Sequence, residues 1–266
     1  PWPFGDLLHL LNGGRKPSVV SYQSDIVRQK NLMRLYRPLM RRFLSSVDRV
    51  CATSPNYRET SAVLSQLRKR IDIIPNGLDS AMCPSATVEV LERWRARLGH
   101  GFFLFVGVLR YYKGLHTLVE ASVGVDVPVV IAGSGPERDA LEAQARKLGA
   151  SRVHFLGHVS EEDKSALLQL AGAFVFPSHL RSEAFGMSLV EASMHSKLMI
   201  SCEIGTGTTY VNLDQVTGLT VPPENPAALR AAMQQLLNDP VQARLMGLAY
   251  RQRYEEHFPG QCMAAS

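Results

Sequence analysis

The stretch that decides the fold is residues 102–136, FFLFVGVLRYYKGLHTLVEASVGVDVPVVIAGSGP. It opens with an uninterrupted apolar run at 102–106, which predicts a buried strand. A helical pattern follows over 115–121, and a second apolar run at 127–132 ends in a glycine-rich turn. Strand, helix and strand joined by short connections predict part of a parallel, doubly wound sheet.

The same alternation continues on both sides of this stretch. Toward the carboxyl end, the patterns predict helices at 137–148, 161–171, 185–195 and 226–237, and strands at 153–156, 173–177, 198–201 and 220–221. Toward the amino end, they predict strands at 19–22, 49–53 and 71–74, a helix over 26–47 and a helix start at Ser54-Pro55. We therefore predict an α/β fold with two Rossmann-like domains that face a cleft.

The two blocks are separated by the segment PNGLD at residues 75–79. Asn-Gly favours a positive φ and proline interrupts regular structure, so this segment predicts a linker. The predicted division is a first block at 1–78, a second block at 79–250 and a tail at 251–266. The chain opens PWPF, without Met or a signal peptide, and we expect the first block to be incomplete.

The composition is that of a soluble globular protein. Of 266 residues, 45% are hydrophobic and 20% are charged, and no apolar run is long enough to span a membrane. The net charge of +5 suits anionic partners, but no run of like charge reads as a nucleic-acid arm. Four cysteines without CxxC spacing, and no histidine cluster, predict reduced thiols, no zinc site and a cytoplasmic location.

The sharpest cluster of functional residues is HLRSEAFGMSLVEA at 179–192. A helix beginning near Phe185 presents unpaired backbone N–H groups, and those of Phe185, Gly186 and Met187 suit a phosphate. Glu183 precedes the helix and Glu191 lies about two turns along it, so one carboxylate can meet a sugar and the other a ribose. Spacing alone leaves an alternative, in which Glu183 is favoured by the helix dipole and Glu191 lies on a solvated face.

This cluster resembles the Glu-x7-Glu motif of the retaining GT-B glycosyltransferases, which include many bacterial mannosyltransferases. Further segments resemble that family in the same order and together cover most of residues 71–222: 75–79, 107–114, 133–137, 155–159 and 205–208. The resemblance implies a GT-B fold with an acceptor-side first block and a donor-binding second block. It also implies transfer of a hexose from a nucleotide sugar to a hydroxyl group, with retention of configuration.

The resemblance also implies roles in the second block beyond the two glutamates. Arg110 and Lys113 follow a strand and would neutralise a diphosphate leaving group, although Arg and Lys often simply solvate a loop. The family usually has its arginine directly after the glycine, where this chain has Val108. Gly133 would line the donor site, or form only a turn, and the backbone at Val159 would contact the base.

The first block departs from the family at Gln23. Residues 19–26, VVSYQSDI, resemble a segment in which the family has His-Ser-Asp, and its histidine lies near the reacting sugar. Glutamine forms hydrogen bonds but does not titrate. Either the reaction tolerates glutamine because the leaving phosphate takes the acceptor proton, or the chain is impaired; Gln23 is also compatible with an ordinary loop residue.

The remaining expectations concern partners. The basic residues of the first block form a solvated helix face or dock on an anionic membrane beside a lipid-linked acceptor: Arg28, Lys30, Arg34, Arg37, Arg41, Arg42 and Arg49. The chain lacks Asp-x-Asp, so we expect neither a metal nor another cofactor. Residues 206–212 resemble mannosyltransferase-like members that build surface polysaccharides, which favours GDP-mannose over UDP-sugars. A sugar-nucleotide epimerase and a non-catalytic sugar-nucleotide-binding protein remain as alternatives.

Overall fold

The structure is a computed structural model that describes residues 2–12, 17–25 and 30–265. The elements of the first block are α1 Pro3–Leu11, β1 Val19–Tyr22, α2 Lys30–Ser46, β2 Arg49–Ala52, α3 Pro55–Thr60 and β3 Ile71–Ile73. Those that follow are α4 Val88–Leu98, β4 Phe103–Val106, α5 Leu115–Ala121, β5 Val129–Ala132, α6 Arg138–Leu148, β6 Val153–Gly157, α7 Glu161–Leu170, β7 Ala173–Phe176, α8 Met187–Met194, β8 Met199–Cys202, α9 Thr208–Val211, β9 Gly218–Val221, α10 Pro226–Asn238, α11 Pro240–His257 and α12 Gly260–Ala265.

The second block is built on a six-stranded sheet in the order β6-β5-β4-β7-β8-β9. Every neighbouring pair of strands in it is parallel, and a helix joins each strand to the next. The predicted parallel, doubly wound sheet is therefore confirmed. The chain order reverses between β4 and β7, and a crevice opens at such a reversal beyond the carboxyl ends of the strands.

The six-stranded sheet is stable because its central strands carry apolar side chains on both faces. Every residue of β5, β7 and β8 is buried, as expected for a parallel sheet that is covered by helices. Phe105, Phe174 and Phe176 are fully buried in this core. Each such side chain contributes about 1.5–3 kcal/mol through burial. The loops at the crevice therefore start from rigid strand ends.

The first block has a three-stranded parallel sheet in the order β1-β2-β3. Its separate core includes Tyr22, Met40, Leu44 and Tyr57. The predicted helix start at Ser54 is confirmed, because its hydroxyl oxygen accepts a 3.1 Å hydrogen bond from the backbone N–H of Tyr57.

Three elements differ from the predicted pattern. Helix α1 was not expected from the PWPF opening, although a proline in the first turn suits a helix start. The helix predicted over 26–47 is described from Lys30 to Ser46, and residues 26–29, including the basic Arg28, lie outside the described residues. Helix α8 begins at Met187 and not at Phe185, because Gly186 has a φ of +88° and caps the helix.

The carboxyl end of the chain returns to the linker. Helix α11 runs through residue 250, the predicted end of the second block, and Tyr254 and Phe258 beyond it are buried in the second core. The Tyr254 hydroxyl donates to the carbonyl of Leu78 at 2.8 Å, and the N–H of Leu78 donates to the carbonyl of Phe258 at 2.9 Å. The division at 78 and 250 stays a prediction.

None of the helices formed by residues 2–12, 17–25 and 30–265 combines the length and apolar character that a membrane span requires.

Candidate functional site

Two loops meet at the point where the strand order reverses. The loop after β4 carries Lys113, and the loop after β7 carries Glu183, 70 residues later in the chain. The Lys113 ammonium donates to Oε2 of Glu183, and each of these side chains is 12% exposed. The structure therefore brings together two of the predicted catalytic residues as a nearly buried ion pair.

The pair forms because the two loops pack backbone against backbone. Gly114 has a φ of +65°, and a Cβ placed on it would lie 1.9 Å from the carbonyl oxygen of Pro177. Beside it, the N–H of His179 donates to the carbonyl of Tyr112 at 3.0 Å. Only glycine fits this approach, so the Lys-Gly sequence is what places the ammonium at Glu183.

Aromatic and polar groups surround the ion pair. The Lys113 ammonium lies 4.7 Å from the ring centroid of Phe176 and 5.4 Å from that of Tyr112. The Ser178 hydroxyl lies 3.4 Å from the same carboxylate oxygen of Glu183. Burial, and next the Glu183 charge, raise the pKa of the Tyr112 hydroxyl. Electrostatic interactions are stronger at such a site than in water, so an incoming anion would compete with Glu183 for the ammonium.

The beginning of α8 supplies hydrogen-bond donors next to this pair. The backbone N–H groups of Phe185, Gly186 and Met187 donate to no backbone carbonyl in the described part of the chain. The side chain of Phe185 is buried in the second core, which fixes this turn. Unpaired N–H groups at the start of a helix suit an anion, and the assignment of these three to a phosphate stays a prediction.

Glu191 lies farther along α8 and is also paired. Oε1 of Glu191 accepts from the Lys164 ammonium at 2.8 Å, and Lys164 also contacts Glu161 at 2.7 Å. Burial alone would lower the pKa of Lys164, but its hydrogen bonds to the two glutamates raise it overall. Glu191 is thus a partly buried carboxylate, 21% exposed, that is paired with Lys164.

The other predicted residues of the second block lie at the carboxyl edge of the same sheet. Arg110 is exposed on the loop after β4. Gly133 has a φ of +139°, and a Cβ there would lie 1.9 Å from the carbonyl oxygen of Gly107, so the glycine-rich turn supports the basic loop. Val159 is half-buried between β6 and α7.

Gln23 lies in the first block, directly after β1. Its side chain is exposed and donates to Ser21 Oγ at 2.6 Å. Its amide oxygen accepts from Asn76 Nδ2 at 3.2 Å, across to the linker. The structure does not bring Gln23 into contact with the ion pair of Lys113 and Glu183.

With this geometry, residues 90–254 match the family described as "Glycosyl transferases group 1", and residues 1–81 match "Glycosyltransferase Family 4". This chain belongs to glycosyl transferases group 1. It is 58% identical to D-rhamnosyltransferase WbpZ of Pseudomonas aeruginosa, over 97% of this chain and 68% of that protein. It is 46% identical to O-antigen chain mannosyltransferase C of Escherichia coli, over 97% of this chain and 69% of that protein.

Solved structures place this glycosyltransferase in the GT-B fold. The sucrose-phosphate synthase of Thermosynechococcus elongatus superposes with a TM-score of 0.85 at 22% identity, over 99% of this chain and 70% of that one. Anabaena HepE, solved with UDP, gives a TM-score of 0.81 at 20% identity, over 99% of this chain and 73% of that one. The predicted fold class is confirmed. Nothing supports the epimerase alternative.

Sequence reasoning missed two residues of this glycosyltransferase that lie between the blocks. Arg181, in the loop after β7, forms an ion pair with Asp25, which follows β1; their nearest atoms are 3.2 Å apart. Both residues lie in loops that follow parallel strands, Arg181 two positions before Glu183 and Asp25 two positions after Gln23. The sequence carries no local signal for their contact, because the two residues are 156 positions apart.

A cavity of about 890 Å³ lies elsewhere, at the opposite edge of the six-stranded sheet. Its lining includes Phe103 and Ala173, the first residues of β4 and β7. None of the predicted site residues lines it, and ligands of open α/β sheets bind at the carboxyl edge. Within the described residues, His, Cys, Asp and Glu side chains form no group of three or more that could hold a metal.

Proposed function

We propose that this glycosyltransferase moves D-mannose, or its 6-deoxy form D-rhamnose, from a nucleotide sugar to a hydroxyl group of a growing polysaccharide, with retention of configuration. The observation that carries the proposal is the nearly buried pair of Lys113 and Glu183 at the strand-order reversal. It holds a cation and a carboxylate at the edge where open α/β sheets bind ligands.

The donor diphosphate lies between the basic loop and the beginning of α8. Lys113 leaves Glu183 to bind it, Arg110 approaches from the rim, and the N–H groups of 185–187 donate to its oxygens. Negative charge grows on the diphosphate as the bond to the sugar breaks, and donors held in place stabilise that charge. No metal ion is needed for this step.

The released Glu183 carboxylate then accepts hydrogen bonds from the sugar. Glu191 holds the ribose together with Lys164. The backbone at Val159 borders the base, and Gly133 forms part of the wall of the donor site. These roles are supported by the common position of the residues at the carboxyl edge of one sheet. Gln23 faces the acceptor side, where the leaving phosphate takes the acceptor proton.

The sugar is proposed from the two relatives that cover 97% of this chain. One is named for D-rhamnose and the other for mannose, and D-rhamnose is 6-deoxy-D-mannose, so both sugars have the same ring configuration. The O-antigen named for one relative supports a sugar or lipid-linked sugar as acceptor. We retain GDP as the favoured base; HepE shares only the fold, so its UDP does not argue against GDP.

A lipid-linked acceptor requires access to a membrane surface. Helix α2 exposes four arginines together with two leucines: Arg34, Arg37, Arg41, Arg42, Leu32 and Leu35. We include peripheral docking of this face on an anionic, cytoplasm-facing membrane in the proposal. Sedimentation with vesicles that contain or lack anionic lipid tests it, and equal binding to both would contradict it.

Calorimetric titration with GDP, UDP, GDP-mannose and UDP-glucose tests the donor site. We expect one nucleotide series to bind at micromolar concentrations and Glu191→Ala to lose that binding. Glu89→Ala, on the exposed face of α4, is the matched control and keeps it. A folded protein that binds none of the four overturns the proposed donor site.

Product analysis tests the chemistry. We expect sugar transfer to a hydroxyl acceptor, and an NMR coupling constant at the anomeric carbon that shows the configuration of the donor. An inverted product overturns retention. The binding-protein alternative is favoured by Gln23 at the family's histidine position; tight donor binding without transfer, unchanged in Gln23→His, would establish it.

A further inference from the structure

The loop that carries Glu183 connects the two blocks of the protein. Ala184 is buried in the core of the first block, whereas the next residue, Phe185, is buried in the core of the second. Two residues before Glu183, Arg181 reaches across the cleft to the first block. This short loop therefore touches both blocks on either side of the proposed sugar-binding carboxylate.

The Arg181 guanidinium binds groups from both blocks at once. Nη2 contacts Oδ2 of Asp25 at 3.2 Å, and Nη1 lies 3.1 Å from Thr60 Oγ1, both in the first block. Nη1 also donates to the carbonyl of Gly205 at 2.7 Å, in the second block. The planar fork of arginine permits several directed bonds, which a lysine ammonium cannot reproduce in the same geometry.

Asp25 is equally shared. Its Oδ1 accepts from the hydroxyls of Ser61 at 2.8 Å and Tyr22 at 3.2 Å, both in the first block, while Oδ2 accepts from Arg181. Its side chain is only 14% exposed. A carboxylate with so little contact with water destabilises the fold if its hydrogen-bond and ion-pair partners are removed.

We propose that Arg181 and Asp25 form an interdomain clasp that sets the position of the acceptor-side wall relative to the donor site. Asp25 lies two residues beyond Gln23, and Arg181 lies two residues before Glu183. Two residues span at most about 7 Å, so the clasp fixes both cleft-lining positions through short connections. Arg181 and Asp25 are positioning residues and do not touch the reacting atoms.

A second contact beside the clasp restrains the same interface. The amide nitrogen of Asn56, in α3, lies 3.1 Å from the hydroxyl of Thr209, in α9. The Thr60 hydroxyl also contacts the carbonyl of Gly205. These are neutral contacts, so the clasp supplies the charged contact of this interface.

The inference rests on the proposed function and is tested by separating donor binding from transfer. We compare Arg181→Gln, Asp25→Asn and the double variant, since Asn keeps the shape of Asp and can still pair with Ser61. Because the donor groups lie in the second block, we expect nucleotide Kd values within about twofold of the wild type. We expect kcat to fall about 10²-fold, because a misplaced acceptor wall disturbs the reacting geometry.

Two kinetic outcomes would support the clasp, and two others would overturn it. The double variant should lose no more kcat than Arg181→Gln alone, because both substitutions break the contact between Arg181 and Asp25. Arg181→Lys should recover part of the loss through the pair with Asp25. Additive losses, or losses of nucleotide affinity as large as those of kcat, would show that Arg181 only supports its own loop and would overturn the clasp.

Small-angle X-ray scattering keeps the inference testable if the wild type transfers no sugar. The folded variants, checked by circular dichroism, should each give a larger radius of gyration than the wild type, and the same value as the double variant. An unchanged radius of gyration in all three variants would overturn the clasp. A larger radius in the variants, together with no sugar transfer by the wild type, would support the clasp and refute the proposed function.

Discussion

The two sheets of this glycosyltransferase differ in how far they bury their strands. In the six-stranded sheet, β5, β7 and β8 are buried along their whole length. In the three-stranded sheet, Val19 of β1 is 68% exposed, and Leu35 of the neighbouring α2 is 81% exposed. The second block therefore has the more completely buried sheet, and its loops start from better-packed strands.

The difference explains the distribution of functional groups. The Lys113–Glu183 pair is built from two loops of the six-stranded sheet, and both of its side chains belong to the second block. Gln23 is positioned through Ser21, Asn76 and the contact of Asp25 with Arg181. We therefore expect donor binding to depend mainly on the second block, and transfer to depend on the arrangement of both blocks.

The largest expected effect is on the core of the second sheet. Phe174→Ala should reduce the free energy of unfolding by about 3–5 kcal/mol, because it leaves a cavity in a fully buried strand. Urea unfolding followed by circular dichroism measures this change. Val19→Ala, in the exposed strand of the first sheet, should stay within about 0.5 kcal/mol. Similar losses in the free energy of unfolding for the two variants would show that the two sheets do not differ in how strongly their strands are buried.

The next effect concerns the proposed diphosphate site. Lys113→Met should lower kcat/KM by about 10²–10³-fold, because a cation that stabilises the leaving group is lost. Steady-state kinetics with the donor identified by calorimetry measures it, and Lys147→Met serves as the control of equal charge change. If Lys113→Met kept full activity, the pair with Glu183 would be only structural.

The third effect is a pH dependence of the second block. Burial, and next the nearby Lys197, lower the pKa of His195 to about 4, compared with about 6.5 in an unfolded chain. Below pH ~6.5 the unfolded chain binds a proton at this histidine that the folded chain does not bind. The contribution of His195 to the free energy of unfolding is therefore complete above that pH and decreases as the pH falls toward ~4. Between pH 7.5 and 5 the loss should be about 2 kcal/mol.

His195→Gln isolates this contribution from that of other histidines. Denaturant midpoints of the variant, measured across the same pH range, should fall less steeply than those of the wild type. Parallel curves for the two proteins would mean that His195 is protonated equally in the folded and unfolded states.

The smallest expected effect is that of a substitution at Gln23, directly after the first strand of the first sheet. Gln23→His should change stability by about 1 kcal/mol or less, because the exposed side chain loses only hydrogen bonds to Ser21 and Asn76. The transfer rate should stay within about tenfold of the wild type, since an exposed side chain outside the ion pair supplies little of the barrier. A gain well beyond that range would show that glutamine impairs the reaction.

The fold was largely predictable because its signals are local. Apolar runs ending in glycine predicted β4 and β5, and Ser54-Pro55 predicted the start of α3, since strand burial and helix capping depend on adjacent residues. The start of α8 was placed two residues early. Phe185 looks helical by pattern, but its burial and the positive φ of Gly186 hold it outside the helix.

The site was predictable only in part. Glu183 and Lys113 were identified by resemblance, but nothing along the chain indicated that they form an ion pair, or that Lys164 binds Glu191. Arg181 and Asp25 were quoted without a role, because an ion pair that spans 156 residues has no local signature. The functional roles of these residues remain proposals that the experiments above test.

The sequence by itself determined the parallel α/β architecture and most of its strands and helices, because hydrophobic periodicity and turn chemistry act over a few neighbouring residues. Only the tertiary structure decided which of those residues meet. The reversal of strand order between β4 and β7 brings Lys113 to Glu183, and the packing of the two blocks brings Arg181 to Asp25. Such contacts depend on how distant strand ends are arranged, which no local pattern specifies.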